Sequence, residues 1–370
     1  MNILLTNATD IFAGGEDYVL ILARYLQKRG HRVWVAANPG HLLLEKCSRS
    51  AIPVVPLEFT GMGRVFTVGR ALGDMLRENN IRIVHSNANY DRTASAIGAL
   101  RAGTRHIAGV HSAHSIQHNL THWIRNRWGT SHFIADAEEV KSLLISEDHI
   151  PAANISVVPI GVENDPPEFN RDMRERTRAT LGVKPKTVVI GNVARLVPFK
   201  GHRVLLEAAA EVVRRRTDVL FPIIGDGELL DDLKAQVRRL DLDPYVRFLG
   251  FRDNLNEIYP AFDIYCHSSL ELAAEAFPIA ILRALATGLP VVCTRVGGIH
   301  LMVEDGVSGY LTPPDRPAAL AERLVRVIAD PGLRTSMGEA SFSLFLRRFH
   351  VSVMVEAVEG IYERALRSVT

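Results

Sequence analysis

Cysteine, excess charge and long apolar runs are all scarce in this sequence, and each scarcity excludes a class of protein. The three cysteines, Cys47, Cys266 and Cys293, show no motif spacing, so we expect a reducing cytosol rather than a disulfide framework. Lys and Arg number 43 against 41 acidic residues, a balance that argues against strong affinity for nucleic acid. The longest stretch without Asp, Glu, Lys or Arg, 106–124, holds five histidines and cannot span a membrane. We therefore expect a cytoplasmic protein, soluble or at most peripheral at the inner face of the membrane.

The sequence does contain a regular alternation of short apolar runs with amphipathic segments. A strand at 2–6 is followed by a helix at 16–29, and a strand at 187–193 by a helix at 201–215. Most of the strands are apolar throughout, which is typical of a parallel sheet covered by helices on both faces. The predicted fold class is therefore α/β.

The length of the chain and a break in the alternation favour two such domains. A chain of 370 residues exceeds the ~100–200 residues of one domain, and the alternation pauses at 161–170, where Pro166 and Pro167 indicate a linker. We expect doubly wound, Rossmann-like domains at 1–165 and 171–348. In such sheets ligands bind at the carboxyl ends of the strands, so the predicted site is the cleft between the domains.

Two adjacent glycines, Gly14 and Gly15, lead from the first strand into the first helix. Glycine lets the backbone approach a ligand closely, and the free N–H groups of a helix start favour an anion or a hydroxyl. A Gly-Gly turn can equally be a turn and nothing more. The dinucleotide fingerprint G-x-G-x-x-G does not occur, which argues against a dehydrogenase.

Two cations, Arg195 and Lys200, follow the first strand of the second domain and precede the helix at 201–215. The N-terminus of that helix is itself electropositive. Arg grips a diphosphate through two hydrogen bonds while Lys supplies a compact charge, so this turn is a candidate diphosphate site. The alternative is a pair of solvated surface charges.

Further loops at the same predicted sheet edge carry chemistry suited to a nucleotide sugar. Each follows a strand or precedes a helix, where backbone N–H groups bind phosphate and a carboxylate accepts hydrogen bonds from sugar hydroxyls. These candidates are Gly225, Asp226, Gly227, Gly250, Phe251, Glu275, Phe277, Pro278 and Ile279. Gly-Asp-Gly alone is a common turn, so the signal lies in the combination.

Taken together, these motifs resemble the retaining GT-B glycosyltransferases of family 4. The first turn and helix at 14–33 match the family's N-terminal pattern, and the resemblance extends over nearly the whole chain. The other segments that carry it are R-L-V-P-F-K-G-H (195–202), G-D-G (225–227), E-A-F-P-I-A-I-L (275–282), A-L-A-T-G-L-P-V-V (284–292), V-G-G (296–298) and E-D-G-V-S-G (304–309).

The resemblance implies a GT-B fold, in which two Rossmann-like domains face each other across a cleft. The N-terminal domain, 1–165, would bind the acceptor, and the C-terminal domain, 171–348, would bind the nucleotide sugar. A C-terminal helix at about 350–370 would pack back on the first domain.

The resemblance also implies roles for individual residues. Arg195 and Lys200 would bind the donor diphosphate and stabilise it as it leaves. Glu275, the first acid of the family's E-x7-E motif, would contact the donor sugar, and His111 would lie beside the transferred sugar. The other donor contacts would come from Gly14, Gly15, Gly225, Asp226, Gly227, Gly250, Phe251, Phe277, Pro278 and Ile279.

One position departs from the family pattern. The second acid of the E-x7-E motif is expected at position 283, where this sequence has Arg283. In the family that acid holds the ribose hydroxyls, whereas a guanidinium donates hydrogen bonds and accepts none. A different ribose contact, an unusual donor and weakened activity are the open explanations. We favour an active enzyme in which Arg283 belongs to the donor site or pairs with a neighbouring carboxylate or a phosphate.

Two stretches have the composition of metal sites. Residues 241–243 read D-x-D but are followed by Pro244 in a polar segment, which favours a turn. His114, His118 and His122 would share one face of a helix and such spacing can bind zinc, but no cysteine or carboxylate supports them. We predict metal-independent transfer without a cofactor.

The histidine-rich stretch continues into Trp123, Arg125, Arg127 and Trp128. A basic, aromatic face of this kind fits a lipid-linked or polysaccharide acceptor and peripheral contact with a membrane. The alternative is a solvated loop with partly buried aromatic rings.

The leading hypothesis is a retaining hexosyltransferase (EC 2.4) that moves a sugar from a nucleotide diphosphate, expected to be UDP, to a cell-envelope acceptor. Lipopolysaccharide and capsule are examples of such a glycan or glycolipid acceptor. A sugar-nucleotide epimerase of GT-B fold and a non-catalytic glycan-binding relative are the alternatives. Incubation with UDP-GlcNAc alone separates transfer from epimerisation, and donor hydrolysis excludes the non-catalytic relative.

Overall fold

Two parallel β-sheets organise the chain. The computed structural model describes residues 1–9, 14–59, 63–111, 114–165, 167–270 and 277–367. The chain divides into two compact units, unit 1 (Met1–Gly161 with Val351–Thr370) and unit 2 (Val162–His350). Because each unit contains one sheet of parallel strands alternating with helices, the predicted α/β fold class is confirmed.

The elements are numbered along the chain. The strands are β1 (Asn2–Asn7), β2 (Arg32–Ala37), β3 (Val54–Pro56), β4 (Ile83–Ser86), β5 (Arg105–Val110), β6 (His132–Ala135), β7 (Ile155–Val157), β8 (Val188–Val193), β9 (Val219–Ile224), β10 (Val246–Phe248), β11 (Ile264–His267), β12 (Val291–Thr294) and β13 (Gly309–Thr312). The helices are α1 (Gly14–Lys28), α2 (Leu42–Arg49), α3 (Arg64–Glu78), α4 (Asn89–Ala102), α5 (Leu120–Ile124), α6 (Glu138–Ser146), α7 (Pro167–Thr180), α8 (His202–Val213), α9 (Leu230–Arg239), α10 (Leu255–Ile258), α11 (Ile279–Ala286), α12 (Pro317–Ala329), α13 (Pro331–Arg348) and α14 (Val351–Arg367).

The sheet of unit 1 has the strand order β3-β2-β1-β4-β5-β6-β7. Its central strands are buried and mostly apolar, which is why they lie inside the sheet rather than at an edge. Helices α3 and α4 cover one face, where Leu72 and Leu76 pack with Leu4 and Val84. The strand order reverses between β1 and β4, so ligand-binding groups are expected at the carboxyl ends of these strands.

Helix α14 returns to unit 1 after the whole of unit 2. It packs against α1, and the Tyr362 hydroxyl lies 2.7 Å from Nδ1 of His85 at the end of β4. Just after the C-terminal end of α1, Arg29 donates a hydrogen bond to Glu359 of α14 at 2.6 Å, and Nε2 of His31 lies 2.6 Å from the same carboxylate. The predicted return of the C-terminal helix to the first domain is confirmed.

The sheet of unit 2 has the strand order β10-β9-β8-β11-β12-β13. Its core is formed by buried residues from neighbouring strands, such as Ile190, Cys266 and Val292, together with Leu206 of α8 and Leu324 of α12. The order reverses between β8 and β11. The carboxyl ends of those two strands are therefore the expected ligand-binding edge of unit 2.

The segment predicted as a linker, 161–170, is shorter than expected because α7 begins at Pro167. This helix is attached by polar contacts rather than by an apolar stripe: Arg174 and Arg178 donate hydrogen bonds to Asp263 at 2.5 and 2.9 Å. Burial opposes ionisation of Asp263, but Arg174, the Val189 N–H and Arg178 lower the pKa of its carboxyl. A search for apolar periodicity could not find a helix held in this way.

Other elements were also not predicted, among them α2 and β13. Helix α2 has only eight residues, too few for a clear apolar period. Strand β13 begins at Gly309, where a Cβ atom would lie 1.9 Å from the carbonyl oxygen of Val291. Only glycine permits this approach of β13 to β12, and a glycine at a strand start hides the strand pattern.

The three cysteines are buried free thiols. Burial raises the pKa of Cys47 to about 12 and the pKa values of Cys266 and Cys293 further above the ordinary value. These thiols therefore stay protonated at neutral pH and act as small apolar side chains.

Candidate functional site

The loops at the carboxyl edge of the unit 2 sheet are joined by backbone hydrogen bonds. The loop after β8 bonds to the loop after β9, with Leu196 N–H donating to the carbonyl of Asp226 at 2.9 Å. The loop after β9 bonds to the loop after β10, with Gly225 N–H donating to Gly250 at 2.9 Å. The loop after β11 also bonds to the loop after β8, with Leu270 N–H donating to the carbonyl of Phe199 at 2.7 Å. Four loops that carry predicted site residues thus form one connected rim.

Arg195 and Lys200 lie at opposite ends of the loop after β8 and both approach the ring of Phe199. The guanidinium carbon of Arg195 is 5.9 Å from the centroid of that ring, and Nζ of Lys200 is 5.3 Å from it. Arg195 is exposed and Lys200 half-buried. The 3₁₀ turn Pro198–Lys200 thus brings two cations around one aromatic ring, an arrangement that suits an anionic ligand with more than one phosphate.

Close backbone contacts at glycine hold this rim together. Gly201 has φ +65°, and a Cβ atom there would lie 1.9 Å from the carbonyl oxygen of Ser268. Gly225 has φ +141°, and a Cβ atom there would lie 1.9 Å from the carbonyl oxygen of Ala194. Because no other residue tolerates both the conformation and the contact, glycine is required at these positions.

Helix α8 begins directly after Gly201, so its N-terminal N–H groups lie beside Lys200. The first residue, His202, is buried, and burial together with the nearby His267 and Lys200 lowers its pKa to about 3. The His202 imidazole is therefore neutral at pH 7. The positive charge at this helix start comes from Lys200 and the helix dipole.

Other predicted donor contacts occupy the same rim or the start of α11. Gly227 follows Asp226 in the loop after β9, and Phe251 is 65% exposed beside Gly250, which leaves its ring available for stacking. Pro278 and Ile279 begin α11, and Phe277 before them packs edge-on against Phe349 with ring centroids 5.6 Å apart. Glu275 lies outside the described residues.

Arg283 lies on α11 among groups that its charge affects. It acts on Asp165, whose pKa is raised by burial and lowered in part by Arg283. It also opposes the rise in the pKa of Tyr259 that burial causes. Arg283 therefore has a neighbouring carboxylate, which agrees with one of the explanations left open by the sequence.

In unit 1, His111 follows β5 and lies in a group of buried polar side chains. Its ring centroid is 4.6 Å from that of Tyr18 on α1, and its Nδ1 is 3.8 Å from Oδ2 of Asp136, which follows β6. The side chain of His111 is 14% exposed and that of Asp136 is 1% exposed. His111 is thus nearly enclosed at the carboxyl edge of the sheet.

Gly14 and Gly15 are the first two residues of α1, one turn before Tyr18. Gly14 is exposed, and a Cβ atom on Gly15 would lie 3.9 Å from Nδ2 of Asn7. Helix α1 thus begins beside the end of β1, and Tyr18 connects it to His111. The structure therefore brings the predicted residues of unit 1 to one edge of its sheet.

Asp136 and Tyr18 are members of this group that sequence reasoning missed. A signal for Asp136 existed, since a carboxylate directly follows the apolar run 133–135. Tyr18 lies in an apolar helical pattern, where a buried tyrosine is usually a core residue, and nothing in its spacing points to His111.

The candidate metal-binding stretches do not form metal sites in the part of the chain that the structure describes. Helix α5 contains His122 but not His114 or His118, so the three histidines do not share a helical face. Within the described ranges, no three His, Cys, Asp or Glu side chains are grouped to hold a metal ion. Asp241 has φ +54° and lies in the predicted turn between α9 and β10.

An exposed apolar surface surrounds α5 and the π-helical turn that continues it, 125–129. We call it the aromatic surface: Leu120, Trp123, Ile124 and Trp128, which are 40–70% exposed. The rings of Trp123 and Trp128 pack edge to face, 5.2 Å apart. Arg127 is exposed at its side. Among the described helices, none is long and apolar enough to cross a membrane.

The sequence predicts that Arg125 is part of an exposed basic face, but in the structure this side chain is buried. It is 5% exposed and donates hydrogen bonds to the carbonyl of Ile116 at 2.7 Å and to Oγ1 of Thr93 at 3.1 Å. Burial, with Arg92 nearby, lowers its pKa to about 9. Arg125 therefore fastens the α5 segment to unit 1, and Arg127 is the arginine of this segment that faces solvent.

Both parts of the chain match models of glycosyltransferase families. Residues 12–165 match Glycosyltransferase Family 4, and residues 173–343 match Glycosyl transferases group 1. The chain is 28% identical over 309 residues to the UDP-Gal:alpha-D-GlcNAc-diphosphoundecaprenol alpha-1,3-galactosyltransferase of Escherichia coli, which covers 79% of this chain and 78% of that protein. It is 30% identical over 298 residues to the D-inositol 3-phosphate glycosyltransferase of Actinosynnema mirum, covering 66% of this chain and 70% of that protein.

Solved structures with the same fold include a glycosyltransferase from Rickettsia africae ESF-5, with a TM-score of 0.87 at 20% identity over 99% of this chain and 98% of that one. Anabaena Alr3699/HepE in complex with UDP-glucose has a TM-score of 0.83 at 24% identity over 100% of both chains. The chain therefore belongs to glycosyltransferase family 4 (glycosyl transferases group 1) and is a glycosyltransferase, EC class 2.4, with the GT-B fold.

Proposed function

We propose that this glycosyltransferase takes a sugar from a nucleoside diphosphate, with UDP as the expected nucleotide, and transfers it with retention of configuration. The observation that carries the proposal is the pair of cations, Arg195 and Lys200, around Phe199 at the reversal of strand order in unit 2. The name of the Escherichia coli relative specifies a UDP-Gal donor, and the Anabaena neighbour was solved with UDP-glucose. Both support a UDP-sugar.

In the proposed mechanism, catalysis comes mainly from stabilisation of the charge on the leaving group. As the sugar leaves and becomes oxocarbenium-like, negative charge grows on the diphosphate. Arg195 and Lys200 stabilise that charge, and preorganised groups of this kind lower the activation barrier by about 3–4 kcal/mol each. Transfer then needs no metal ion, and the acceptor attacks from the face that the diphosphate leaves.

The remaining predicted residues bind the donor or its sugar. Glu275 accepts hydrogen bonds from the sugar hydroxyls, and His111 lies beside the transferred sugar. Phe251 stacks near the base, and the backbone N–H groups of the other loops bind phosphate or sugar oxygens. The remaining donor contacts come from the backbone of Gly14, Gly15, Phe277 and Ile279, from the loops at Gly225, Asp226, Gly227 and Gly250, from Pro278, which has no N–H and contributes its ring, and from the Arg283 side chain.

The proposed acceptor is a lipid-linked glycan at the cytoplasmic face of the membrane. The aromatic surface supports this, because tryptophan side chains favour the interface of a bilayer and Arg127 adds a positive charge toward anionic lipid. A cavity of about 30 Å³ beside Trp123 is lined by Gln117 and Asn126. Their Oε1 and Nδ2 atoms are buried without a hydrogen-bond partner among the described residues, so the cavity can receive a hydroxyl group.

The donor proposal is tested by titration calorimetry with UDP, GDP and ADP, followed by donor turnover. UDP should bind, and Arg195→Ala or Lys200→Ala should lower kcat about 10²–10³-fold because one charge on the leaving diphosphate is lost. Arg215→Ala, which changes an exposed arginine just after the far end of α8, is the matched control and should keep wild-type turnover. Absence of binding to all three nucleotides, or equal loss in the control, contradicts the proposal.

The membrane contact is tested by sedimentation with phosphatidylcholine vesicles that contain or lack phosphatidylglycerol. The wild type should sediment with the anionic vesicles, and Trp128→Glu should lose most of this binding because a carboxylate replaces an apolar ring at the interface. Leu346→Glu, which changes an exposed apolar residue of unit 2, is the control. Equal binding by the two variants would remove the support for a membrane-linked acceptor.

A further inference from the structure

Three neighbouring strands of unit 1 end in polar residues that are buried together. β4 is followed by Asn87, β5 by His111 and β6 by Asp136, and these strands are adjacent in the sheet. Side-chain atoms of all three are buried without a hydrogen-bond partner among the described residues. Buried polar atoms normally have partners, so a group of them without one calls for an explanation, and a catalytic role is one such explanation.

Asp136 is the residue of this group whose burial is least favourable in free energy. Both of its carboxylate oxygens are buried without a donor in the described part of the chain, and Nδ1 of His111 lies 3.8 Å from its Oδ2. The Tyr18 hydroxyl is also buried and without a partner there. Burial and the negative charge of Asp136 raise the pKa of Tyr18 well above its ordinary value, so the phenol stays protonated and can donate. A carboxylate in this environment is not explained by stability.

The other nitrogen of His111 lies over a glycine. A Cβ atom on Gly109 would lie 2.9 Å from Nε2 of His111, 2.9 Å from Oδ1 of Asn87 and 3.1 Å from Nε2 of His85. Burial, with His111 and His106 nearby, lowers the pKa of His85 well below its ordinary value, so His85 is neutral. The imidazole of His111 therefore reaches this position only because residue 109 has no side chain.

We propose that Asp136 is the positioning residue of His111: its carboxylate accepts the Nδ1–H of the imidazole and thereby fixes the tautomer and the plane of the ring. At 3.8 Å the two groups are at ion-pair distance, and hydrogen bonds of this kind tighten when substrate binds. Tyr18 packs against the ring and limits its rotation. The role of His111 beside the sugar rests on the proposed function, whereas its pairing with Asp136 does not.

The pairing predicts an unusual combination of effects for Asp136→Leu. The variant should lower kcat about 10–100-fold, the range known for loss of a carboxylate that orients a metal-bound histidine, with the KM for donor nearly unchanged. Its thermal midpoint should be equal to or above that of the wild type, because a buried carboxylate that accepts no hydrogen bond from the described residues is replaced by an apolar side chain. Asp136→Asn, which keeps one acceptor oxygen, should recover part of kcat.

Asp148→Asn is the matched control for burial and charge. Asp148 is also buried but accepts hydrogen bonds from Ser115, Ile116 and Gln117, so its loss should lower the thermal midpoint. The tautomer of His111 should not change in this variant. A lowered midpoint in Asp136→Leu as well would mean that Asp136 is a structural residue and would overturn the proposal.

The tautomer itself is measured by nitrogen-15 NMR on histidine-labelled, unliganded protein. Wild-type His111 should carry its proton on Nδ1, and Asp136→Leu should shift the population toward Nε2–H. A wild-type His111 with its proton on Nε2 contradicts the proposal whatever the activity. If the wild type turns over no nucleotide sugar, the proposed function fails, yet the NMR result still decides whether Asp136 pairs with His111.

Discussion

Two glycines of unit 2 have the same left-handed backbone but different surroundings. Gly201, at the start of α8, has φ +65° and no room for a Cβ atom beside Ser268, whereas Gly306 has φ +78° with no atom within 4 Å. Alanine at Gly306 should cost only the conformational penalty of about 1–2 kcal/mol. Alanine at Gly201 should cost more and displace the turn that carries Lys200.

Chemical denaturation of Gly201→Ala and Gly306→Ala, with UDP titrated into each, checks this prediction. Weakened UDP binding is expected in Gly201→Ala alone. Similar stability and similar UDP affinity in both variants would mean that the contact with Ser268 relaxes without consequence for the rim.

At the same scale, sequence reasoning finds residues in a motif more readily than residues that meet across strands. Arg195 and Lys200 lie five positions apart in one loop, so their shared location could be predicted. Asp136 is 25 positions from His111, and the two meet because β5 and β6 pair in parallel. The local sequence pattern does not specify the order of strands, so the contact between His111 and Asp136 could be identified only from the structure.

Helices α3 and α4 pack closely through glycine. A Cβ atom on Gly98 would lie 2.8 Å from Cβ of Leu72 and within 3.3 Å of backbone atoms of Gly69 and Gly73. A Cβ atom on Gly73 would instead meet the side chain of Arg101, at 2.7 Å from Cδ, 3.0 Å from Cγ and 3.1 Å from Cβ. The contact at Gly98 therefore includes backbone atoms, which cannot move aside, whereas the nearest atoms at Gly73 belong to a side chain alone.

Gly98→Ala should destabilise unit 1 by about 1–3 kcal/mol, the usual cost of overpacking. Gly73→Ala should cost less than Gly98→Ala, because the contact is with a side chain whose end can move, and alanine favours a helix over glycine. Urea midpoints of the two variants decide the matter, and the reverse order of stability would show that α3 and α4 separate freely.

At the scale of elements, the alternation of strands and helices predicts most of the fold because both sheets are parallel and buried. It fails where packing is polar. Helix α7 is fastened by Arg174 and Arg178 to Asp263, and the segment was therefore predicted partly as linker. Helix α5 is short and continues as a π-helical turn, which a periodicity of 3.6 residues does not describe.

Both units contain a buried histidine that is neutral when the protein is folded. Burial is the main reason that the pKa is lowered to about 3 at His106 in unit 1 and at His202 in unit 2. An unfolded histidine titrates near 6.5, so below that pH the unfolded chain binds more protons. The free energy of unfolding should therefore be highest above pH 6.5 and fall as the pH is lowered toward 3, by up to ~1.4 kcal/mol per pH unit for each histidine.

Denaturant titrations between pH 7.5 and 5.5 measure this dependence on the unliganded protein. His202→Leu should have a smaller pH slope than the wild type, because the residue that must stay unprotonated is removed. His114→Gln, which changes an exposed histidine, should keep the wild-type slope. A slope unchanged in His202→Leu would mean that His202 is not the source.

The return of α14 to unit 1 has a consequence for synthesis on the ribosome. Tyr362 and Glu359, which contact His85 and His31 of unit 1, are translated only after every residue of unit 2. The second unit can thus mature while the first still lacks its last helix, although the first was translated earlier. Translation order and order of completion are opposite in this chain, and during that interval the face of α1 that α14 covers is exposed in the nascent unit 1.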